Sequence, residues 1–196
     1  HRIGAYLGSE LSLVISNGYY SCMKRVAVFV NGDLGMSIIK RVIAHPNMEL
    51  SVVVLNSPDK RSIDYKGEIL SLQNSLGSKF NIYEWTIDLN TNDNYLNDLT
   101  KCEIAISALF GQIIPKKVIK IFNEKIFNLH PSLLPQGKGS DPVPWGIIQG
   151  YSQGASIHTV TEKLDSGLIL SQQMIESDLG MNAGEIYQKC IDSLVY

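Results

Sequence analysis

Cysteine is scarce in this chain, with three residues in 196, and Cys22, Cys102 and Cys190 are scattered without metal-ligand spacing. A dispersed, odd-numbered set offers neither a disulfide framework nor a metal site. It fits a reducing compartment, so a cytoplasmic protein with ordinary thiols and no bound metal is expected. A surplus of basic charge is missing too, with 17 Lys and Arg against 19 Asp and Glu. That balance gives no electrostatic footprint for a polyanion, so nucleic acid is not an expected partner of this chain by itself. No apolar run reaches the roughly 18 residues that would cross a membrane. Near the start, the patch Leu11, Val14, Ile15 is broken by Glu10 and Ser12, and no small-residue cleavage site follows, which argues against a signal peptide. Internal repeats, low-complexity tracts and the dinucleotide fingerprint G-x-G-x-x-G are also lacking.

Short continuous apolar runs are what the chain does have: Val26 to Val30, Leu50 to Leu55 and Ile104 to Ala108. Such runs mark strands buried on both faces of a parallel sheet. Between them lie helical patterns. One starts with Asp33 as its expected N-cap, carries Ile38, Ile39, Val42 and Ile43 on a stripe and stops before Pro46. Another runs from Lys66 to Leu76 with Gly77 as terminator. Phe80 to Trp85 reads as a short strand and Asp88 to Asn94 as a polar turn. Pro115 is expected as the first helical residue of a segment through Val118, Ile119 and Phe122. Asp141 to Ile148 reads as a short helix opened by prolines, and Ala155 to Val160 and Leu168 to Ile175 as strands. Asn182-Ala183-Gly184-Glu185 has the form of a capping box before a final helix. Alternation of strand and helix predicts an α/β, Rossmann-like, doubly wound and mostly parallel sheet. Residues 1–22 read as an added leader or an amino-terminal extension, and residues 23–196 as one domain opening at Met23-Lys24-Arg25.

The stretch with the most chemistry is Asn128-Leu129-His130-Pro131-Ser132-Leu133-Leu134-Pro135, followed later by Leu164-Asp165-Ser166-Gly167. In an extended segment residues two apart share a face, so Asn128 and His130 can address one bound atom. The prolines forbid a helix or inner strand directly after the histidine, leaving a loop shaped around a site. Asp165 is expected on a loop between two strands. His158, on the preceding strand, reads either as a partner behind the site residues or, the stronger reading, as a packing residue, and is left out of the catalytic set.

Together these two motifs resemble the folate-dependent formyltransferases, a family including glycinamide ribonucleotide transformylase, methionyl-tRNA formyltransferase and the sugar N-formyltransferases. The likeness is dense from Glu103 to Gln172 and weaker before it. It implies the formyltransferase fold, a catalytic set of Asn128, His130 and Asp165, and 10-formyltetrahydrofolate as formyl donor. It also implies a cofactor pocket bordered by Phe110, Gln112, Ile113, Ile114, Glu162, Lys163 and Leu164. Most members continue into a further domain, so residues 23–196 read as the catalytic domain alone. Lys138-Gly139 stands where many relatives have Arg-Gly, keeping the charge but losing the planar fork. In glycinamide ribonucleotide transformylase the loop after the first strand holds the substrate's phosphate. Asp33 puts a carboxylate there, which counts against that substrate.

Formyl transfer needs donors aimed at the carbonyl oxygen where negative charge builds, and the Asn128 amide and a protonated His130 suit that role. Asp165 can raise the imidazole's proton affinity and orient it or a water. Residue types alone leave open whether His130 acts as base or oxyanion partner. The Pro-x-x-Trp step at Pro142 to Trp145 looks closest to the sugar enzymes. The expected partner is therefore a small-molecule amine on a nucleotide sugar, with no membrane and with a homodimer left open. Glycinamide ribonucleotide, aminoacyl-tRNA, hydrolysis of the formyl donor and a non-catalytic folate-binding module are the alternatives.

Overall fold

The computed structural model describes residues 23–57, 65–77, 79–178 and 180–195, so the expected leader and Cys22 lie outside the described residues. These residues form two compact units, one ending at Phe127 and one beginning at Asn128. The first contains β1 (Lys24–Val30), α1 (Gly32–Ala44), β2 (Met48–Leu55), α2 (Lys66–Leu76), β3 (Asn81–Glu84), a 3₁₀ turn (Ile87–Thr91), α3 (Asp93–Thr100), β4 (Ile104–Ala108) and α4 (Lys116–Phe122). β5 (Ile126–His130) carries the chain into the second unit, which holds α5 (Pro142–Gln149), β6 (Gly154–Thr159), β7 (Ile169–Met174) and α6 (Ala183–Val195). In hydrogen-bonded order the strands run β3-β2-β1-β4-β5-β6-β7. β1 pairs in parallel with β2 and β4, β2 with β3 in parallel, and β6 with β7 antiparallel. This is the α/β, Rossmann-like sheet expected from the apolar runs.

The central strand explains the pattern. Val26 to Phe29 are fully buried, as a strand covered on both faces requires. α1 packs close to it because residue 35 is glycine: a Cβ there would lie 2.7 Å from the Cβ of Val30. Gly77 ends α2 in the left-handed conformation, with φ 60° and its N–H on the Asn74 carbonyl. At the other end of the chain the capping box is reciprocal. The Asn182 N–H donates to Glu185 Oε2 at 2.8 Å, while Asn182 Oδ1 accepts from the N–H groups of Gly184 and Glu185.

Three local expectations are corrected. Asp33 is not the cap of α1. Asn31 holds that position, extended and without a side-chain cap bond, and Asp33 lies in the first turn, where Tyr65 Oη donates to it. Pro115 is not helical. Its ψ of 151° makes it the cap of α4, its carbonyl accepting from the Ile119 N–H. The polar stretch from Asp88 is not only a turn but leads into α3. Asn92 Oδ1 takes the Tyr95 N–H at 3.0 Å, and Tyr95, Leu96 and Leu99 are buried beneath a polar outer face.

Candidate active site

Everything in this site belongs to the second unit. β5 ends at His130, which is 6 % exposed, and Asn128 precedes it by two residues on the half-buried face. Asn128 Nδ2 lies 3.0 Å from His158 Nε2, and the His130 and His158 rings meet edge-on with centroids 6.1 Å apart. After His130 the chain turns through Pro131 to Pro135, with the Leu134–Pro135 peptide cis. Ser156 fastens that turn from β6: its hydroxyl donates to the Ser132 carbonyl and accepts from the Leu134 N–H, while Gln172 Nε2 donates to the Leu134 carbonyl. Gly137, at φ 62°, closes the loop, and a Cβ there would lie 2.9 Å from that of Ser132.

The hydrogen positions follow from the acceptors. Gly137 O can only accept, so His130 Nε2 carries the hydrogen at 2.8 Å, leaving Nδ1 with the ring's lone pair when neutral. Thr159 O likewise requires His158 Nδ1 to donate at 2.9 Å, so Nε2 is free to accept from the Asn128 amide. His158 was not among the expected site residues, yet it is the ring that Asn128 touches.

Asp165 sits on the β6–β7 loop with φ 43°, in the left-handed region that Asp enters more readily than most non-glycine residues. Three contacts surround its carboxylate. Its Oδ2 accepts the Gly139 N–H at 2.8 Å, its Oδ1 lies 3.5 Å from His158 Nε2, and its Oδ2 lies 3.9 Å from His130 Nε2. Gly167 lets the loop return, since a Cβ there would be 1.7 Å from the Thr159 carbonyl oxygen. Lys138 Nζ donates to Ser166 Oγ at 2.9 Å, tying the two loops at their exposed rim.

Burial pushes the His130 pKa down and outweighs the opposing pull of Asp165 and of the Gly137 carbonyl. That shift favours the neutral imidazole, where residue types suggested a protonated donor, because desolvation of the ring exceeds the attraction of a carboxylate 3.9 Å away. Burial works against the Asp165 anion as well. There the His158 ring, His130 and the Gly139 N–H outweigh it, and the carboxyl titrates below its ordinary range. Asn128, His130 and Asp165 are thus brought together around His158.

The expected cofactor residues divide between the units. Phe110 packs edge-on against Phe29 and Trp85, and Ile114 is 7 % exposed, so these two side chains serve the first unit's core. Gln112 is half-buried and Ile113 is 80 % exposed on the same irregular segment. Glu162, Lys163 and Leu164 are exposed on the turn just before Asp165.

The fold and this cluster define an α/β protein with an amide, an imidazole and a carboxylate gathered at strand ends. Residues 24–193 match the formyl transferase family, and the chain belongs to it. A methionyl-tRNA formyltransferase of Prochlorococcus marinus (strain MIT 9312) is 30 % identical over 142 residues, 70 % of this chain and 43 % of that protein. The chain spans about half the length of the curated relatives it matches, 43 % and 54 % in two of them. Among solved structures, a phosphoribosylglycinamide formyltransferase from Anaplasma phagocytophilum shares the fold with a TM-score of 0.71 at 22 % identity, over 87 % of this chain and 80 % of that one. A sugar N-formyltransferase from Shewanella sp FDAARGOS_354 does so with a TM-score of 0.69 at 18 % identity, over 88 % of this chain and 65 % of that one.

Proposed function

We propose that this chain transfers a formyl group from 10-formyltetrahydrofolate to a primary amine, the acceptor being an amino group on a nucleotide-linked sugar. The observation that carries the reading is the convergence of Asn128, His130 and Asp165 around one buried imidazole, His158. The acceptor nitrogen attacks the formyl carbon, the carbonyl electrons move onto oxygen, and the carbon–nitrogen bond to the folate then breaks. The acceptor nitrogen loses a proton and the folate nitrogen gains one. One Asn128 N–H is spent on His158, leaving the second to face the developing oxyanion, where a single donor is worth roughly 100- to 1,000-fold in rate. Neutral His130 has a lone pair on Nδ1 to take the proton, and Asp165 stabilises the imidazolium so formed. In the first unit the irregular segment at Gln112 and Ile113 is of the kind that suits the donor–acceptor rim of a flat heterocycle, and in the second unit the exposed turn Glu162 to Leu164 is, taken by itself, of the same kind.

The near-equal counts of basic and acidic residues support a small acceptor over a nucleic acid. So does the apolar α5, which exposes Trp145 in the Pro-x-x-Trp step. A second reading, transfer to methionyl-tRNA, is favoured by the names of the curated relatives. Incubation with 10-formyltetrahydrofolate and, separately, UDP-glucosamine, glycinamide ribonucleotide, methionyl-tRNA or water discriminates among them. Release of tetrahydrofolate that depends on the amino sugar is expected. Release with tRNA alone moves the acceptor to the second reading, and release without any amine marks a hydrolase.

A further inference from the structure

We propose that Thr159 is a positioning residue: by accepting the Leu168 N–H, its hydroxyl frees the Thr159 carbonyl to fix the tautomer of His158, which in turn aims the Asn128 amide. The inference rests on the formyl-transfer reading, and all of its residues lie in the second unit.

β6 and β7 depart from a regular ladder just before the Asp165 loop. Their register slips between Ile157 and His158, so that Ile157 faces Ser171 while His158 faces Ile169, leaving Leu170 out of step. Thr159 and Leu168 come next. Residues directly opposite in a hydrogen-bonded antiparallel pair exchange two bonds, each N–H donating to the other's carbonyl. Here only one of those two is made. The Thr159 N–H donates to the Leu168 carbonyl at 2.9 Å, but the Leu168 N–H goes to Thr159 Oγ1 at 3.0 Å. The side chain stands in for its own carbonyl, and that carbonyl instead accepts from His158 Nδ1 at 2.9 Å.

Two arrangements of this corner compete. With its hydrogen on Nδ1, His158 offers Nε2 as an acceptor, and the Asn128 carboxamide 3.0 Å away turns an N–H towards it. The second N–H of that amide is then left for the developing oxyanion. With its hydrogen on Nε2, the ring would donate instead, towards Asn128 and towards Asp165 Oδ1 at 3.5 Å. The carboxamide would have to reverse, and an oxygen lone pair would face the oxyanion in place of a donor. His158 is 2 % exposed, so water offers the ring no substitute partner. The Asp165 carboxylate favours the second arrangement and the Thr159 carbonyl favours the first. Removing Oγ1 returns the Leu168 N–H to the ladder, where it competes with His158 for that carbonyl.

The test compares Thr159→Val, which keeps the branched shape without the acceptor, Thr159→Ala, which also lacks it, and Thr159→Ser, which retains it. Nitrogen-15 spectra of histidine-labelled protein report the tautomer, and thermal melts report folding. Turnover is measured with 10-formyltetrahydrofolate and whichever of UDP-glucosamine, glycinamide ribonucleotide and methionyl-tRNA the parent formylates. In the parent, His158 Nδ1 is expected to give the signal of a protonated ring nitrogen and Nε2 that of a bare one. Thr159→Val and Thr159→Ala are expected to move His158 towards the Nε2–H form and to lower kcat about five- to tenfold, the effect of one hydrogen bond, with acceptor KM and folate Kd within about twofold. Thr159→Ser restores both the ring signals and kcat. A parent His158 protonated on Nε2 overturns the proposal, as do parent-like ring signals in a folded Thr159→Val or Thr159→Ala. Ring signals that move while kcat holds, or a loss of kcat that serine does not restore, overturn it too. If the ring signals respond as expected but the parent formylates no amine, the link from Thr159 to His158 stands and the formyl-transfer reading falls. Formylation by a parent whose ring signals ignore Thr159 leaves that reading standing and removes the link.

Discussion

At His130 burial opposes the proton and Asp165 favours it, and burial prevails. The working form is then the neutral ring, so the acid limb of kcat/KM belongs below the ordinary imidazole value of 6.5. An acid limb centred above 6.5 would mean that the ring's pKa is raised rather than lowered, and activity that falls as the ring loses its proton would make the protonated ring the working form. The same shift links to stability. Below pH 6.5 the unfolded chain takes up a proton that folded His130 resists, so stability falls on acidification. Asp165, whose folded pKa is lowered, contributes stability above its ordinary 3.8 that is lost as pH falls through the folded value. Melting temperatures of His130→Ala should therefore fall less than the parent's as pH drops below 6.5. His130→Ala and Asp165→Ala are each expected to lower turnover by roughly 100-fold or more with folate Kd nearly unchanged, because their interactions strengthen in the transition state. Rates within threefold of the parent would remove them from the mechanism. His158→Ala should lower kcat by up to about 100-fold through misplacement of Asn128, with little effect on acceptor KM. That Asn128, His130 and Asp165 lie together was legible from the resemblance of their two motifs to the formyltransferases. His158 was not, since a histidine within the buried run Gly154 to His158 looks like packing until its partners are seen.

Element boundaries show what local pattern can and cannot carry. The capping box at Asn182 was legible because both partners lie within four residues, and Asn182→Ala is expected to cost roughly 1 kcal/mol by chemical denaturation. α3 was missed because five of its eight residues, Asp93, Asn94, Asn97, Asp98 and Thr100, favour turns and caps in isolation. The signal was nevertheless present in Asn92 as cap and in Tyr95, Leu96 and Leu99 at helical spacing. Tertiary contacts settle it: Asp98 accepts from Tyr83 Oη and Asn81 Nδ2, both at 2.6 Å. On the β6–β7 loop the determinant is steric. Gly167→Ala would drive a methyl to 1.7 Å from the Thr159 carbonyl, so the loop holding Asp165 must shift. Activity should fall with Gly167→Ala well beyond any drop in melting temperature, whereas Asn182→Ala should lower stability and leave kcat alone.

Across the whole chain, the alternation of apolar runs with amphipathic segments was enough to specify the sheet, because a strand covered on both faces has few other sequence forms. Charge is the other whole-chain property, and it bears on the proposed acceptor. A tRNA is held largely through its phosphates, and log K falls with log salt by roughly 0.7 to 0.9 for each phosphate neutralised. Reaching such a slope needs clustered Lys and Arg, and this sequence has 17 basic residues against 19 acidic ones. Several of its cations are already committed: Lys40 to Glu68, Lys66 to Glu84, Lys101 to Asp98 and Arg25 to Glu49. A nucleotide sugar presents only a diphosphate, equivalent to about one or two such contacts. The acceptor KM measured at 50 and 200 mM salt should therefore rise by no more than about tenfold for UDP-glucosamine. A rise of about a thousandfold with methionyl-tRNA, accompanied by efficient turnover at low salt, would instead require six or more phosphate contacts and would make nucleic acid the acceptor.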